Sequence, residues 1–500
     1  MPRSTTAATI TTSPDPTDPP RAPHRWWILA VIALAQVTVV LDATIVNIAL
    51  PSAQRNLGFS DGNRQWVVTA YALAFGSLLL LGGRIADLFG RRNTFLIGLF
   101  GFAVASATGG AAPNFEVLVA ARALQGVFGA LLAPAALSLL TTTFTDPAER
   151  DKAFGVFGAV AGAGGGVGLL LGGVLTEHLD WRWCLYVNLI LAGAAILGGL
   201  LLLGRHERSA ARPRLDLPGT LAVSAGLFAL VYGFSHAESD GWSDPITYGC
   251  LIAGIVLLAA FVRIQSVVAN PLLPLRVVLD RDRGASLLGM LITGAGMFGV
   301  FLFLTYYMQQ TLRYDPVETG LAFLPMVFGI MAAATSATVL LVPRFGPKPI
   351  VPGGMALAAL GLLLLTRLDL DSAYATDLMP GLILFGAGAG LIIAPCMSAA
   401  TLGVRADDAG VASAAVNTVQ QVGGSIGVAL LSTLSATAGS NYLADRQPTP
   451  DALAQAALRS YATSYRWSAA FFAVGLVATA LLFRPGARTP DPTAPPTVHA

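Results

Sequence analysis

Long apolar runs separated by short polar connections dominate this chain. A helix needs roughly 20 apolar residues to cross the hydrocarbon core of a bilayer. Runs of that kind cover residues 27–50, 62–83, 93–111, 115–140, 152–175, 182–203, 216–236, 246–266, 285–310, 318–341, 350–368, 376–400, 410–435 and 465–484. The pattern predicts an all-α integral membrane protein with fourteen transmembrane helices. No connection or tail is long enough for a soluble signalling or DNA-binding domain.

Composition points the same way. Hydrophobic residues make up 54% of the 500 and charged residues 12%, with a mean hydropathy of +0.67, well beyond soluble domains. A net charge of +2 leaves no footprint for nucleic acid. Lys152 and Lys348 are the only lysines and neither follows a glycine, so a P-loop ATPase motif is absent. The three cysteines (Cys184, Cys250, Cys396) and five histidines share no ligand spacing, which implies neither a metal site nor a cofactor. Residues 1–25 and 485–500 are rich in proline and small polar residues and read as disordered tails. Most of the 30 lysines and arginines fall in alternate connections, which places both termini in the cytoplasm by the positive-inside rule.

Parts of the sequence recur. GALLAP at 129–134 aligns with GLIIAP at 390–395, and LFGRR at 88–92 aligns with RFGPK at 344–348. Both matches join equivalent helices and keep their order. They predict a six-helix unit used twice, over 26–204 and 285–484, with two linking helices in 205–284. An even insertion keeps the copies parallel, the architecture of the major facilitator superfamily, whose substrate cavity lies between the halves.

The motifs carry a more specific resemblance. GGRIADLFGRRNTFLIG (82–98) resembles that superfamily's signature between helices two and three, and LDATIVNIALP (41–51) and RALQGVFGALLAP (122–134) resemble the first-helix and fourth-helix motifs of drug/proton antiporters. DWRWCLYVNL (180–189), YYMQQTLRYDPVETGLAFLP (306–325) and NTVQQVGGSIGVAL (417–430) are similar to segments of the fourteen-helix EmrB/QacA-type branch. The resemblance implies a multi-pass cell-membrane exporter of lipophilic or amphiphilic small molecules, driven by protons, with Arg84, Asp87, Gly90, Arg91 and Arg92 forming a cytoplasmic gate. A dedicated exporter or symporter of one metabolite is the alternative, and a non-transporting sensor is a further one. The expected unit is a monomer in lipid, with substrate and protons as its partners and no enzymatic reaction. One departure stands out: where the family's fifth-helix motif has Gly-Pro, this chain has Gly168-Leu169. Gly164, Gly168 and Gly172 still recur every four residues and predict a smooth face for close helix packing.

Within the predicted spans the charges that stand clear of the ends are Asp42 and Arg122, and ionisable residues at such depth are functional by default. Counted from span ends near Pro51 and Pro113, each lies roughly 13 Å below the outer boundary, so the two can face each other. Burial favours the neutral acid and a neighbouring arginine favours the ionised one. A change in their separation therefore moves a proton on or off, which makes the pair a proton-coupling candidate. At the matched position of the second unit, Ile383 replaces Arg122. The uncharged polar residues Gln36, Asn47, Gln125, Gln309, Asn417 and Gln420 are the expected source of polarity in a substrate cavity. Trp181 and Trp183 are expected as interfacial anchors.

Overall fold

The computed structural model describes residues 24–60, 62–144, 146–204, 216–269, 271–401, 409–444, 446–447 and 449–485. The two predicted tails, apart from their inner ends, and the predicted inside arginines Arg205, Arg208, Arg212 and Arg214 lie outside them. In chain order the helices are α1 (Arg25–Leu57), α2 (Trp66–Phe89), α3 (Arg91–Gly110), α4 (Phe115–Thr143), α5 (Pro147–His178) and α6 (Trp183–Leu202). Then come α7 (Leu217–Asp240), α8 (Pro245–Val267), the short α9 (Leu275–Val278), α10 (Arg281–Tyr306), α11 (Pro316–Ala322) and α12 (Leu324–Ser336). The chain ends with α13 (Val342–Phe345), α14 (Pro347–Leu365), α15 (Met379–Thr401), α16 (Ala409–Leu443) and α17 (Pro450–Leu482). A π-helical turn, Tyr307–Thr311, prolongs α10, and another, Ala337–Leu341, joins α12 to α13. Among the described residues twelve helical segments are long and apolar enough to cross a membrane.

The polar connections start the helices. Asn114 accepts a bond from the Val117 backbone, and Asp146, Asp216, Asp244, Asp280, Asp315 and Thr449 cap α5, α7, α8, α10, α11 and α17 in the same way. Proline follows at once or nearly so in most of these, where its missing N–H costs nothing. Gly90, between α2 and α3, and Gly346, between α13 and α14, both take positive φ values, 89° and 74°. They belong to the two aligned LFGRR and RFGPK strings, so the repeat extends to a backbone conformation that favours glycine.

Three sequence expectations are corrected. Pro51 does not end α1: the helix continues to Leu57 and stops at Gly58 in the left-handed region. A proline inside a helix removes one hydrogen bond, and a well-packed helix in an apolar setting tolerates that loss. The last helix begins at Pro450 rather than 465; its first turns are alanine-rich with a polar face, so an apolar-run criterion passes over them. Trp181 is buried, with its indole N–H donating to Asn56 Oδ1 at 3.3 Å, so it ties α1 to the turn before α6 instead of anchoring the membrane interface; Trp183 is exposed.

Glycine sets the helix spacing. A methyl group at Gly168 would run into Thr44 Oγ1, and at Gly164 and Gly172 it would press on Val40 and Ile45, so this face of α5 lies against α1. Gly82 is closed in the same way by the Ala130 carbonyl on α4, Gly386 and Gly390 by carbonyls of α12, and Gly423 by the Leu291 carbonyl on α10. The partners repeat along the chain. Helix α1 packs on α5 and α6, α2 and α3 on α4, and α3 on α6; correspondingly α10 packs on α16 and α17, α12 and α14 on α15, and α14 on α17.

Helix α7 lies over the seam between α2 and α16, bonded to each: Ser224 Oγ donates to the Ser77 carbonyl and Thr433 Oγ1 to the Phe234 carbonyl, both at 3.2 Å. At the end of the bundle that carries the C-terminus of α1, helices from α1–α6 meet α10 and α11. Tyr306 donates to Gln54 Oε1 at 2.6 Å, Gln309 Nε2 to the Ile48 carbonyl at 3.1 Å, and the Arg64 guanidinium lies 4.1 Å from the centre of the Tyr306 ring. A methyl group at Gly320 on α11 would stand 2.6 Å from the Leu169 carbonyl of α5. The position at which the motif departs from Gly-Pro is thus a backbone contact between the two sets of helices.

Candidate functional site

The side chain of Asp42 is wholly buried; it is bonded from α4 and α6, and α2 and α3 hold those partners. Arg122, on α4, donates from Nη1 to Asp42 Oδ2 at 2.6 Å and to Gln125 Oε1 at 2.9 Å. Its Nε donates to the Val67 carbonyl of α2 at 3.1 Å, and its guanidinium lies 4.5 Å from the centre of the Tyr71 ring. Gln125 Nε2 donates to Asp42 Oδ1 at 2.8 Å and to Ser106 Oγ of α3 at 2.6 Å. Asn188 of α6 repeats that pattern, its Nδ2 reaching Asp42 Oδ1 at 2.7 Å and Ser106 Oγ at 3.1 Å. Arg122 is 2% exposed, and Gln125, Ser106 and Asn188 are at 0%. A narrow apolar cleft lined by Val46, Leu50, Val67, Leu118, Trp181 and Cys184 reaches Arg122.

Spacing on α4 explains part of this. Arg122 and Gln125 stand three residues apart and so share one face, which lets a single helix address both carboxylate oxygens. Opposite charges this far from water require a complete set of hydrogen bonds. Here Arg122 has four partners, a carboxylate, an amide oxygen, a backbone carbonyl and an aromatic face. Such a site can hold a charge pair stably away from water.

The structure brings Asp42, Arg122 and Gln125 together, and it adds Ser106, Asn188, Tyr71 and the Val67 carbonyl, none singled out from sequence. Asn188 was open to detection as an amide inside an apolar run. Ser106 was less so, because a serine mid-helix can bond its own backbone.

The other expected cavity residues stand apart from this cluster. Asn47 Nδ2 donates within its own helix, to the Ala43 carbonyl at 3.0 Å, and Gln309 serves the contact with Ile48 already described. Gln36, Asn417 and Gln420 are half-buried. In the expected cytoplasmic gate, Arg92 Nε donates to the Leu203 carbonyl at 2.8 Å and Arg84 Nη2 to the Pro271 carbonyl at 3.2 Å. Those bonds join α3 to α6 and α2 to the segment after α8. Gly90 makes the turn, Arg91 is half-buried, and the side chain of Asp87 lies outside the described residues. Among the described residues no three His, Cys, Asp or Glu side chains could share a metal ion.

Residues 32–428 match the sequence profile of the Major Facilitator Superfamily. The chain belongs to that superfamily. The puromycin resistance protein pur8 of Streptomyces alboniger is 53% identical to this superfamily member over 463 residues, covering 92% of this chain and 91% of that protein. The cephamycin export protein CmcT of Amycolatopsis lactamdurans is 39% identical, covering 82% of this chain and 86% of that one. The lincomycin resistance protein of Streptomyces lincolnensis is 36% identical, with coverage of 82% and 84%. Among solved structures, the POT family transporter PepTSo superposes with a TM-score of 0.68 at 15% identity, covering 93% of this chain and 98% of that one. That likeness bears on the fold, which is that of a Major Facilitator Superfamily transporter.

Proposed function

We propose that this protein exports amphiphilic small molecules of the antibiotic type across the cell membrane in exchange for protons. The observation that carries the proton half of this reading is the buried Asp42–Arg122 pair, set where α1, α2, α3, α4 and α6 converge. The relatives' names support the substrate half. Because those names specify single compounds, a dedicated exporter of one natural product remains the second reading.

Fourteen spans follow if α2 and α5 are added to the twelve apolar segments: α2 has 24 residues and α5 has 32. Two parallel six-helix bundles, α1–α6 and α10–α17, are then joined by α7 and α8, and the repeated packing partners support that division. With both termini cytoplasmic, the contacts of Tyr306, Gln309 and Gly320 lie on the outer side. They hold that side closed, and a monomer contains every group the mechanism uses. Arg84 and Arg92 anchor the cytoplasmic end of α2 and α3, consistent with a gate at that end.

The test is transport by purified protein in liposomes with an imposed pH gradient, using puromycin, lincomycin and a lipophilic cationic dye. The expected result is movement of puromycin that collapses when a protonophore removes the gradient. Movement of several unrelated compounds supports the multidrug reading, and movement of one alone supports the dedicated exporter. Transport indifferent to the pH gradient sinks proton coupling.

A further inference from the structure

The two oxygens of Asp42 face different chemistry. Oδ2 meets Arg122, which has only donors, so a proton arriving at the carboxylate cannot settle there without facing another N–H. Oδ1 meets two amides, Gln125 and Asn188, each turned to donate. Gln125 is pinned in that orientation because its Oε1 accepts from Arg122. Asn188 is not pinned: its Oδ1 is buried and has no hydrogen-bond partner among the described residues.

We propose that Asn188 is the positioning residue that lets Asp42 hold and release its proton, by turning its carboxamide over. With Asp42 ionised, Nδ2 donates to Oδ1. With Asp42 protonated, the new O–H needs an acceptor, and a half-turn about Cβ–Cγ brings Asn188 Oδ1 to the place of Nδ2. There it accepts from Asp42 and, on its second lone pair, from the Ser106 hydroxyl, which can donate as readily as it accepts. One amide atom lacks a partner in either orientation, Oδ1 before the turn and Nδ2 after it, so each protonation state keeps a hydrogen bond between Asp42 and Asn188, the stronger one being to the ionised form. No bond is made or broken except the O–H at Asp42.

The other titratable or charged groups facing Asp42 among the described residues are Arg122 on α4, the Tyr71 phenol on α2 and the Cys184 thiol on α6. Helix α3 presents Ser106, and α5 presents Gly168 through its contact with Thr44, neither of them titratable. Arg122 only donates, and of the two amides bonded to Asp42 Oδ1, Gln125 has its oxygen taken by Arg122, so Asn188 is the bonded group whose oxygen is open to accept.

This inference rests on Asp42 being the proton carrier, and the experiment separates the two. Asn188→Leu keeps the branched skeleton of the side chain and removes both donor and acceptor. In proteoliposomes it is expected to slow proton-driven transport about tenfold or more. It should also move the pH of half-maximal transport upward by about one unit, because a hydrogen bond to the ionised form is worth more than one to the neutral form. The direct readout is infrared difference spectroscopy of wild-type protein carrying isotope-labelled asparagine. Its expected signature is a side-chain amide band that shifts in step with protonation of a carboxyl group, and that is silent in Asp42→Asn. Should Asn188→Leu fail to fold, the labelled wild-type spectrum decides alone. Loss of coupling in Asp42→Asn together with an unchanged pH profile in Asn188→Leu, or with no pH-linked amide band, overturns the switch and leaves the carrier standing. Full coupling in Asp42→Asn overturns both.

Discussion

Asp42→Asn is expected to abolish accumulation of substrate against its gradient while leaving substrate binding in place. Asparagine matches the carboxylate in shape but cannot take up or release a proton at physiological pH. For a neutral substrate exchanged against one proton, a membrane potential of about 100 mV supplies about 2.3 kcal/mol, a concentration ratio of about fifty. In the variant that ratio falls to about one. The guanidinium of Arg122 loses its counter-charge, but it keeps the Val67 carbonyl, Gln125 Oε1 and the Tyr71 face, and these hold enough of its hydrogen bonding for the bundle to assemble. Binding is expected to survive because affinity in an apolar cavity comes mainly from contact area. The check is a reconstituted pH-jump assay beside equilibrium binding of puromycin on the same preparation. Gradient-driven accumulation equal to wild type sinks the role of Asp42.

The apolar runs made the helices legible because a bilayer imposes one length on everything that crosses it. Asp42 and Arg122 were legible for a related reason: an ionised group in an apolar run has no ordinary explanation. What surrounds them was much harder to read. Val67 contributes a backbone carbonyl, which leaves no trace in residue identity; Ser106 looks like a common helix residue, and Asn188, though an amide inside an apolar run, shows its role only when five helices are brought to one point.

The depth estimate for Asp42 assumed a span ending at Pro51, whereas α1 runs six residues further. The pair meets regardless, because helix tilt and packing, not residue count, set which levels coincide. Gly164, Gly168 and Gly172 show the opposite case. A four-residue spacing of glycine is itself a statement about geometry, and the face it predicts is the one that α1 occupies. The first turns of α17 escaped notice because an apolar-run search has no way to register a membrane helix that continues into a polar, alanine-rich stretch.

Arg122→Ala gives a different failure from Asp42→Asn, and the difference identifies which partner carries the proton. Removing the acid leaves a guanidinium that cannot discharge itself, whereas removing the guanidinium leaves an acid that escapes burial by taking up a proton. Breaking a buried pair from one side typically costs about 3–5 kcal/mol, and proton uptake by Asp42 recovers part of that, so the variant is expected to fold. Without the opposing charge of Arg122 beside it, discharge at Asp42 is expected to depend on a more alkaline cytoplasmic side. At neutral pH, efflux should fall about tenfold or more; raising the pH on the cytoplasmic side should restore it in Arg122→Ala and not in Asp42→Asn. The double variant Asp42→Asn/Arg122→Ala buries no charge at this point, and should regain thermal stability without regaining coupling at any pH. Recovery of pH-driven efflux in that double variant, or a lack of alkaline rescue in a well-folded Arg122→Ala, would remove the pair from the coupling mechanism and leave it as a static brace between α1 and α4.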